Sequence, residues 1–308
     1  MRKSIQKMSA NSFIRLHFAV SKNSIPYFKY SLASYQNLAW YRSGLEVYAH
    51  CLDRGSFQYL ERHENLTSIS SGEGSGSSGH AIAIKSMLDH LGEHVINVIT
   101  DSDVAIVYRN WDKFLFDFFG QKPIDMLGTQ YSSFGTATAG HTHVQQYKNK
   151  PTFTWLALGK GVSLNGLDPN PSKNSKITIE TPEMAEIYGL PLGFQLLADV
   201  GWKLPQYIRK CGLRYELLEL VENRDPRCLV LGNLPDYHDE FHLGGLPWLA
   251  HQRGSMRHKF RTDPLSKNFY NSVDNFLNFP SWSVHPTKLE RVTGWLGRPI
   301  RKFRLRFR

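Results

Sequence analysis

The segment VINVITDSDVAIVY, residues 95–108, constrains the fold of this chain more than any other stretch of the sequence. Its first six residues form a largely apolar run, which is typical of a strand buried on both faces of a sheet. The carboxylates of Asp101 and Asp103 follow that run directly. They belong either to a turn between two strands or to a cation site at a strand end. The order of helices and strands around them bears on that choice.

The pattern before this segment predicts an α/β layer. Residues 13–20 alternate between apolar and polar side chains as a strand does, and Pro26 suits the first turn of a helix that follows. A second strand is expected over residues 45–53, then a Gly/Ser-rich loop at 71–79 and a helix at 80–91. The order strand, helix, strand, loop, helix, strand favours an α/β fold with a largely parallel sheet, in which ligands bind beyond the carboxyl ends of the strands.

The rest of the chain is expected to extend this layer. Further strands are predicted at residues 124–131 and 151–164, and irregular structure from residue 236 onwards. No internal repeat or clear linker is present in the sequence. We therefore expect one domain over residues 1–265, with an irregular C-terminal extension and basic tail over 266–308.

Composition limits the class of protein. Hydrophobic residues make up 41% and charged residues 21% of the 308 residues, as in a globular protein with a substantial core. No segment approaches the roughly 18 consecutive apolar residues of a membrane span. The basic N-terminus lacks the apolar core of a signal peptide. Three cysteines, Cys51, Cys211 and Cys228, form no CxxC pair and suggest reduced thiols, so a cytoplasmic protein is expected.

A net charge of +10 favours a polyanionic partner. Much of the surplus lies in the tail RPIRKFRLRFR, residues 298–308, which contains no acidic residue. One interpretation is a solvated tail that aids solubility. The other is a binding strip, in which Phe303 and Phe307 contact nucleic-acid bases or the interface of the inner membrane face.

Asp101 and Asp103 have the spacing of a cation site. In an extended chain, residues i and i+2 project to the same side. Two carboxylates so placed repel each other unless they share a proton or a cation. Hard oxygen ligands suit Mg²⁺ or Mn²⁺, either of which also binds phosphate. Because a bare Asp-x-Asp often occurs by chance, an ordinary turn remains the alternative.

The Gly/Ser-rich loop GEGSGSSGH lacks the Gly-Lys-Ser/Thr ending and the preceding strand of a P-loop, which argues against a nucleoside triphosphatase. It is either a flexible linker or a segment that brings a helix N-terminus to an anionic ligand. In the second case His80, at that terminus, would contact the ligand.

The succession FAV, LEVYAHCLD, GHAIAIKSML and VINVITDSDVAIVYRNWDKFL resembles the GT-A-type glycosyltransferases. The WDKFL helix and the IDMLGTQY strand are similar to the sugar-nucleotide transferases of phage and bacterial gene clusters. This resemblance covers residues 13–160 and continues more weakly to about residue 265. It implies a Rossmann-type mixed sheet flanked by helices, bound Mn²⁺ or Mg²⁺, and a nucleotide-sugar donor, with a UDP-sugar as the expected donor.

The resemblance also implies roles for single residues. Ala19 and Val20, at the end of the first strand, and Asp53 would face the base and the ribose. Asp101 and Asp103 would take the ribose and metal roles, with Asp103 in direct contact with the metal.

Such enzymes usually add a late histidine to the metal site. His242 begins HLGGLPW, which loosely resembles the His-Gly-Pro-Trp element of glycogenin-like enzymes but has a shorter spacing. His251 begins HQRGSMR, in which Arg257 would meet a phosphate. Both histidines stay candidates, although most of the 13 histidines are expected to be ordinary surface or core groups.

An inverting transfer needs a carboxylate that accepts the proton of the acceptor hydroxyl. Asp199, in LLADVGWKLPQ, is the candidate, because an acid between apolar residues and a glycine is unusual on a helix surface. Asp236, Asp239 and Glu240 compete for the role, and a plain helix-end carboxylate is the alternative for Asp199. A retaining reaction would not need this base.

The sequence thus favours a metal-dependent glycosyltransferase. The expected acceptor is a cell-envelope glycan or a lipid-linked glycan at an anionic membrane face. Hydroxymethylated bases of phage DNA are the alternative acceptor, and such a base would have to be exposed or flipped. A non-catalytic nucleic-acid-binding protein is a further alternative, which the acidic residues at a strand end disfavour.

Overall fold

The structure is a computed structural model. It describes residues 14–63, 66–131, 144–172, 176–221, 225–232, 234, 238–252 and 263–278.

The described residues alternate between strands and helices for most of their length. The strands are β1 (Ile14–Val20), β2 (Leu45–Cys51), β3 (Thr67–Ser70), β4 (Ile96–Thr100), β5 (Val104–Ile106), β6 (Met126–Gly128), β7 (Val144–Gln145), β8 (Trp155–Leu158), β9 (Lys176–Thr178), β10 (Gln195–Leu197), β11 (Tyr215–Leu217), β12 (Glu219–Val221), β13 (His238–Leu243) and β14 (Leu246–Gln252). The α-helices are α1 (Ile25–Leu38), α2 (Arg54–Leu60), α3 (Gly76–Leu88), α4 (Trp111–Gln121), α5 (Pro182–Tyr188), α6 (Leu204–Cys211) and α7 (Pro264–Leu277).

A seven-stranded mixed sheet in the order β11-β6-β8-β4-β1-β2-β3 forms the centre of the molecule. Strand β8 runs antiparallel to both β4 and β6, and the other neighbours are parallel. The predicted fold class, an α/β fold with a mixed sheet flanked by helices, is confirmed. The single reversed strand β8 is the departure from the largely parallel order that the pattern suggested.

Strand β4 is buried along its whole length, as its apolar run predicts. Ile96 and Val98 pack into the larger core with β1, α1 and α4, whereas Ile99 packs on the other face with α3 and α6. A strand covered by helices on both faces is mostly apolar, because neither face meets water. The one buried amide, Asn97, accepts the N–H of Gly92 at 2.8 Å and donates to the Gly92 carbonyl at 2.9 Å. This burial fixes the point at which the chain emerges from the sheet, at Asp101.

A second, four-stranded sheet in the order β12-β13-β14-β5 joins the late part of the chain to the segment after Asp103. Irregular structure was expected here, but β13 and β14 form a hairpin, and β14 pairs with β5. Gly244 and Gly245, both at positive φ, make the turn. Two glycines between two apolar-rich segments are a hairpin signal that the sequence interpretation missed.

Other elements also differ from the sequence-based expectation. Helix α3 begins at Gly76, so part of the expected loop is helical, and α2 and β3 lie between β2 and that loop. A small three-stranded sheet, in the order β7-β10-β9, lies apart from the main sheet. Within the described residues, no helix has both the length and the apolar character required to cross a bilayer.

The expected boundary between residues 265 and 266 falls inside α7, whose Phe269 and Val273 pack into the larger core. The basic tail at 298–308 lies outside the described residues.

Candidate active site

A cavity of about 750 Å³ lies where β1, β2 and β4 end. Its walls come from the segments that follow these strands, from the start of α3, from the segment around Asp199 and from His251. The carboxyl edge of a sheet collects such segments because parallel strands all end there. The cavity is therefore where an α/β fold of this kind places a ligand.

Asp101, Ser102 and Asp103 form the tight link between β4 and β5 at the wall of this cavity. The backbone N–H of Asp101 donates to the carbonyl of Thr154 at 3.0 Å, and the N–H of Gln252 donates to the carbonyl of Asp103 at 3.2 Å. These bonds hold the link from both sides. The two interpretations of the acidic pair do not exclude each other, because the segment is a turn that also lines the cavity.

Asp101, Asp103 and His251 form a group whose potential ligand atoms all lie within 4.8 Å of one another. Strand β14 brings His251 there by pairing with β5, which places His251 opposite Val104. Two carboxylates and one imidazole form a donor set that fits Mn²⁺, which accepts both oxygen and imidazole ligands. The residues present therefore fit the implied cation, although its role in this chain stays a proposal.

His251 also contacts a second acid. Its Nε2 lies 3.7 Å from Asp103 Oδ1, and its Nδ1 lies 3.3 Å from Asp239 Oδ2. Burial disfavours the charged imidazole, but the hydrogen bond to Asp239 and the charges of the neighbouring carboxylates outweigh burial and raise the pKa of His251.

The structure does not bring His242, the other candidate, to this group. Its Nε2 lies 2.7 Å from Glu240 Oε1, and both side chains are buried. Along β13, Asp239 and Glu240 point to opposite faces, and His242, two residues after Glu240, lies beside Glu240 rather than beside Asp239. His242 is thus not among the residues that line the cavity. Arg257 lies outside the described residues.

His80 lies in the first turns of α3 and lines the cavity. Its Nε2 is 3.0 Å from Asp101 Oδ1. Burial disfavours the charged form, but the nearby carboxylates, Asp101 foremost, outweigh it and raise the pKa of His80. A histidine in this position reduces the repulsion between Asp101 and the other acids of the cavity.

The segment before α3 is a packed loop rather than a flexible linker. The N–H of Gly74 donates to the carbonyl of Leu52 at 3.3 Å, which ties the loop to the end of β2. A Cβ on Gly79 would lie 2.6 Å from the carbonyl carbon of Gly74, so the loop and the helix approach too closely for any other side chain. The N-cap Ser75 and the next two residues line the cavity. Backbone N–H groups at such a helix end suit an anion.

Of the three residues implied for contact with the base and the ribose, two line the cavity and one does not. Ala19 and Asp53 line the cavity, whereas Val20 is fully buried in the core. Neighbouring residues of a strand point to opposite faces, so Ala19 and Val20 cannot both face the ligand. Asp53 is the N-cap of α2, and its carboxylate accepts the N–H groups of Ser56 at 2.8 Å and of Lys22 at 2.6 Å.

Asp199 follows β10 and lines the cavity. Its Oδ1 accepts the N–H of Val200 at 2.8 Å. Gly201 has φ +75°, and a Cβ there would lie 2.6 Å from the ring of Phe153, so this turn needs glycine. Tyr131 also lines the cavity. Burial, and then the charge of Asp199, raise the pKa of the Tyr131 hydroxyl.

Several lining residues are not among the site residues predicted from the sequence. They are Lys22, Asn23 and Ser24 after β1, and Tyr131, Gln146 and Phe153 from the middle of the chain. The first three follow a predicted strand and could have been found by inspecting every predicted strand end. The others depend on how distant loops meet, which local pattern does not report.

Comparisons with known proteins add little at the level of sequence. No protein-family model matches the chain, and no curated protein matches it. Solved structures similar to this chain include the mannosyltransferase PcManGT from Pyrobaculum calidifontis, in complex with GDP-Man and Mn²⁺, at 16% identity and a TM-score of 0.39. That match covers 68% of this chain and 55% of the mannosyltransferase.

Two further similar structures are S. aureus TarS 1–349 and the galactosyltransferase LgtC in complex with donor and acceptor sugar analogues. The TarS match has 14% identity and a TM-score of 0.36, and it covers 93% of this chain and 78% of TarS 1–349. The LgtC match has 11% identity and a TM-score of 0.33, and it covers 68% of this chain and 73% of LgtC. Likenesses this distant carry no argument about what this chain binds or does.

Proposed function

We propose that this protein is a metal-dependent glycosyltransferase that moves a sugar from a nucleotide-sugar, with a UDP-sugar as the first donor to test. The observation that carries the proposal is the group of Asp101, Asp103 and His251 in a cavity at the carboxyl edge of the sheet. The resemblance of the segment around VINVITDSDVAIVY to GT-A-type enzymes supports the same function.

Asp101, Asp103 and His251 would hold Mn²⁺ or Mg²⁺. When bound, the cation neutralises the diphosphate and stabilises the charge that develops on it as it leaves the sugar. The start of α3, with Ser75 and His80, supplies further groups that suit an anion at the same cavity. These features together favour a ligand with a concentrated negative charge, as a nucleoside diphosphate has.

In an inverting transfer, Asp199 would accept the proton of the acceptor hydroxyl while the acceptor oxygen bonds to the anomeric carbon. The bond from that carbon to the diphosphate oxygen breaks in the same step, and the diphosphate leaves with its electron pair. Asp199 suits this role because it lies in the same cavity as Asp101 and Asp103.

For the acceptor, we propose a cell-envelope glycan used by a cytoplasmic enzyme, with the basic tail in contact with the inner membrane face. The net charge of +10 equally favours a second candidate, transfer to hydroxymethylated bases of phage DNA. A purely nucleic-acid-binding role without a bound cation is disfavoured, since Asp101, Asp103 and Asp199 would then repel a polyanion in the cavity.

The deciding experiment measures the hydrolysis of UDP-glucose and of GDP-mannose in Mn²⁺. We expect Asp103→Asn to lower kcat/KM by about 100-fold or more, because charge stabilisation by a bound cation contributes several kcal/mol. Asp117→Asn is the matched control, since Asp117 is an exposed acid on α4 that pairs with Lys113. Equal activity of Asp103→Asn and the wild-type protein would overturn the proposal.

A further inference from the structure

Asp239 lies directly opposite His251 in the antiparallel ladder between β13 and β14. Cross-strand partners of this kind point to the same face of a sheet, so their side chains meet. The Asp239 Oδ2 and His251 Nδ1 atoms are 3.3 Å apart, and both residues are buried. Asp239 does not line the cavity, whereas His251 does. The contact with His251 therefore gives Asp239 a direct route to the cavity.

We propose that Asp239 is a positioning residue, which holds the His251 ring so that Nε2 faces the cation. This inference rests on the proposed function and deepens it. A neutral imidazole has one N–H and one lone pair on its two ring nitrogens. If Nδ1 carries the proton and donates it to Asp239, the lone pair lies on Nε2, the atom that faces Asp103 at 3.7 Å. A carboxylate behind a ligand histidine also makes the ring a stronger donor.

The same hairpin contains a second acid and histidine pair that serves a different purpose. Glu240 accepts the N–H groups of Leu229, Val230 and Leu231 at 2.9–3.0 Å, and it also contacts His242. That carboxylate is committed to holding the segment 229–231 against β13. Alternation along β13 thus separates Glu240, which supports the fold, from Asp239, whose partner His251 lines the cavity.

The test measures the affinity for Mn²⁺ alone, and again with UDP or GDP present, by electron paramagnetic resonance of the free ion. We expect Asp239→Ala to raise the Kd for Mn²⁺ by roughly 10–100-fold, the usual effect of removing such a supporting group. Asp239→Asn should raise the Kd by a smaller factor, because its amide oxygen still accepts the hydrogen bond from Nδ1 of His251. In a His251→Ala background, Asp239→Ala should change the Kd by less than about twofold, because the residue it positions is gone.

Thermal melts in EDTA check that each variant is folded. All titrations are made well below the lowest melting temperature. If Asp239→Ala does not fold, Asp239→Asn in both backgrounds decides the question. Asp117→Asn, remote on α4, should leave the Kd unchanged.

An unchanged Kd in the Asp239 variants would overturn the inference and leave the proposed function intact. An equal loss of Mn²⁺ affinity with and without His251 would also overturn it, because Asp239 would then act by another route. If the folded wild-type protein does not bind Mn²⁺ even with a nucleotide present, the proposed metal site itself fails, and the inference fails with it.

Discussion

Asp53 combines a structural and a positional role in one carboxylate. One oxygen caps α2 through the N–H of Ser56, and the other accepts the N–H of Lys22 in the segment after β1. It thereby joins the ends of β1 and β2 at the wall of the cavity. The sequence resemblance implies that Asp53 contacts the nucleotide directly. The structure adds that its carboxylate already accepts hydrogen bonds from two backbone N–H groups.

We expect Asp53→Ala to lower the free energy of unfolding by about 1–2 kcal/mol, as the loss of a helix N-cap does. It should also raise the KM for the donor, because the segment of Lys22 loses its anchor. The matched control is Asp263→Ala, which removes the cap of α7, where Asp263 accepts the N–H of Leu265 at 3.0 Å. Urea unfolding and donor kinetics measure the two effects. A similar change of KM in both variants would contradict the positional role.

Asp199 is expected to act on the chemical step rather than on donor binding. Asp199→Asn keeps the size of the side chain and should lower kcat by about 100-fold or more, the usual contribution of a general base, with little change in the donor Kd. Product analysis by NMR supplies the second measurement. A retained anomeric configuration would remove Asp199 from the base role whatever its effect on kcat.

At the scale of elements, the loop before α3 depends on a close contact between Gly74 and Gly79. Helix propensity alone predicts that alanine at position 79 would stabilise α3, since glycine is unfavourable inside a helix. The close approach of the loop opposes this, because the new Cβ would overlap the backbone of Gly74. The overlap is with backbone atoms, which cannot shift easily. The steric cost of the new Cβ should therefore exceed the gain in helix propensity.

We therefore expect Gly79→Ala to destabilise the protein by about 1–3 kcal/mol, as overpacking does, and to raise the KM for the donor. Gly120→Ala in α4 is the matched control, because a Cβ there meets nothing within 4 Å. That variant should be more stable than the wild-type protein by about 0.5–1 kcal/mol. Thermal and urea unfolding compare the pair, and a stabilised Gly79→Ala would show that the loop moves freely.

For the molecule as a whole, a buried histidine pair in the main sheet links stability to pH. His17 on β1 and His50 on β2 lie 3.1 Å apart through Nδ1 and Nε2, and His50 also contacts Ser86 of α3 at 2.8 Å. Burial is the main cause that lowers the pKa of His17 to about 3 and that of His50 to about 2. Both rings therefore stay neutral in the folded protein at pH values where they are charged in the unfolded chain.

The sign of the effect follows from proton binding. Below the unfolded pKa of about 6.5, the unfolded chain binds protons that the folded protein does not. The free energy of unfolding should therefore fall as the pH drops from 6.5, by up to about 1.4 kcal/mol per pH unit for each histidine. His80 and His251, whose pKa values are raised, act in the opposite direction, but they are present in every variant compared.

Urea unfolding between pH 7.5 and pH 5 measures this dependence. His50→Gln should flatten it by up to about 1.4 kcal/mol per pH unit, whatever the variant does to stability at neutral pH. His63→Gln, which changes an exposed histidine, should leave the slope unchanged. Parallel curves for all three proteins would rule out the buried pair as a source of acid sensitivity.

The sequence by itself determined the features that depend on local pattern. The apolar run before Asp101 predicts a strand buried on both faces, and β4 is one. The start of α1 at Ile25, with Pro26 in its first turn, is equally local. The placement of Asp101 and Asp103 at the edge of an α/β sheet followed from the order of these elements.

Only the tertiary structure decided which histidine joins the two aspartates. His251 and His242 look alike in sequence, but the pairing of β14 with β5 brings His251 to the cavity, whereas His242 shares a face of β13 with Glu240 and contacts it. In the same way, the alternation of side chains along β1 turns Ala19 towards the cavity and Val20 into the core. The physical reason is that strand pairing between distant segments sets which face a side chain occupies, and a shift of one residue would reverse it.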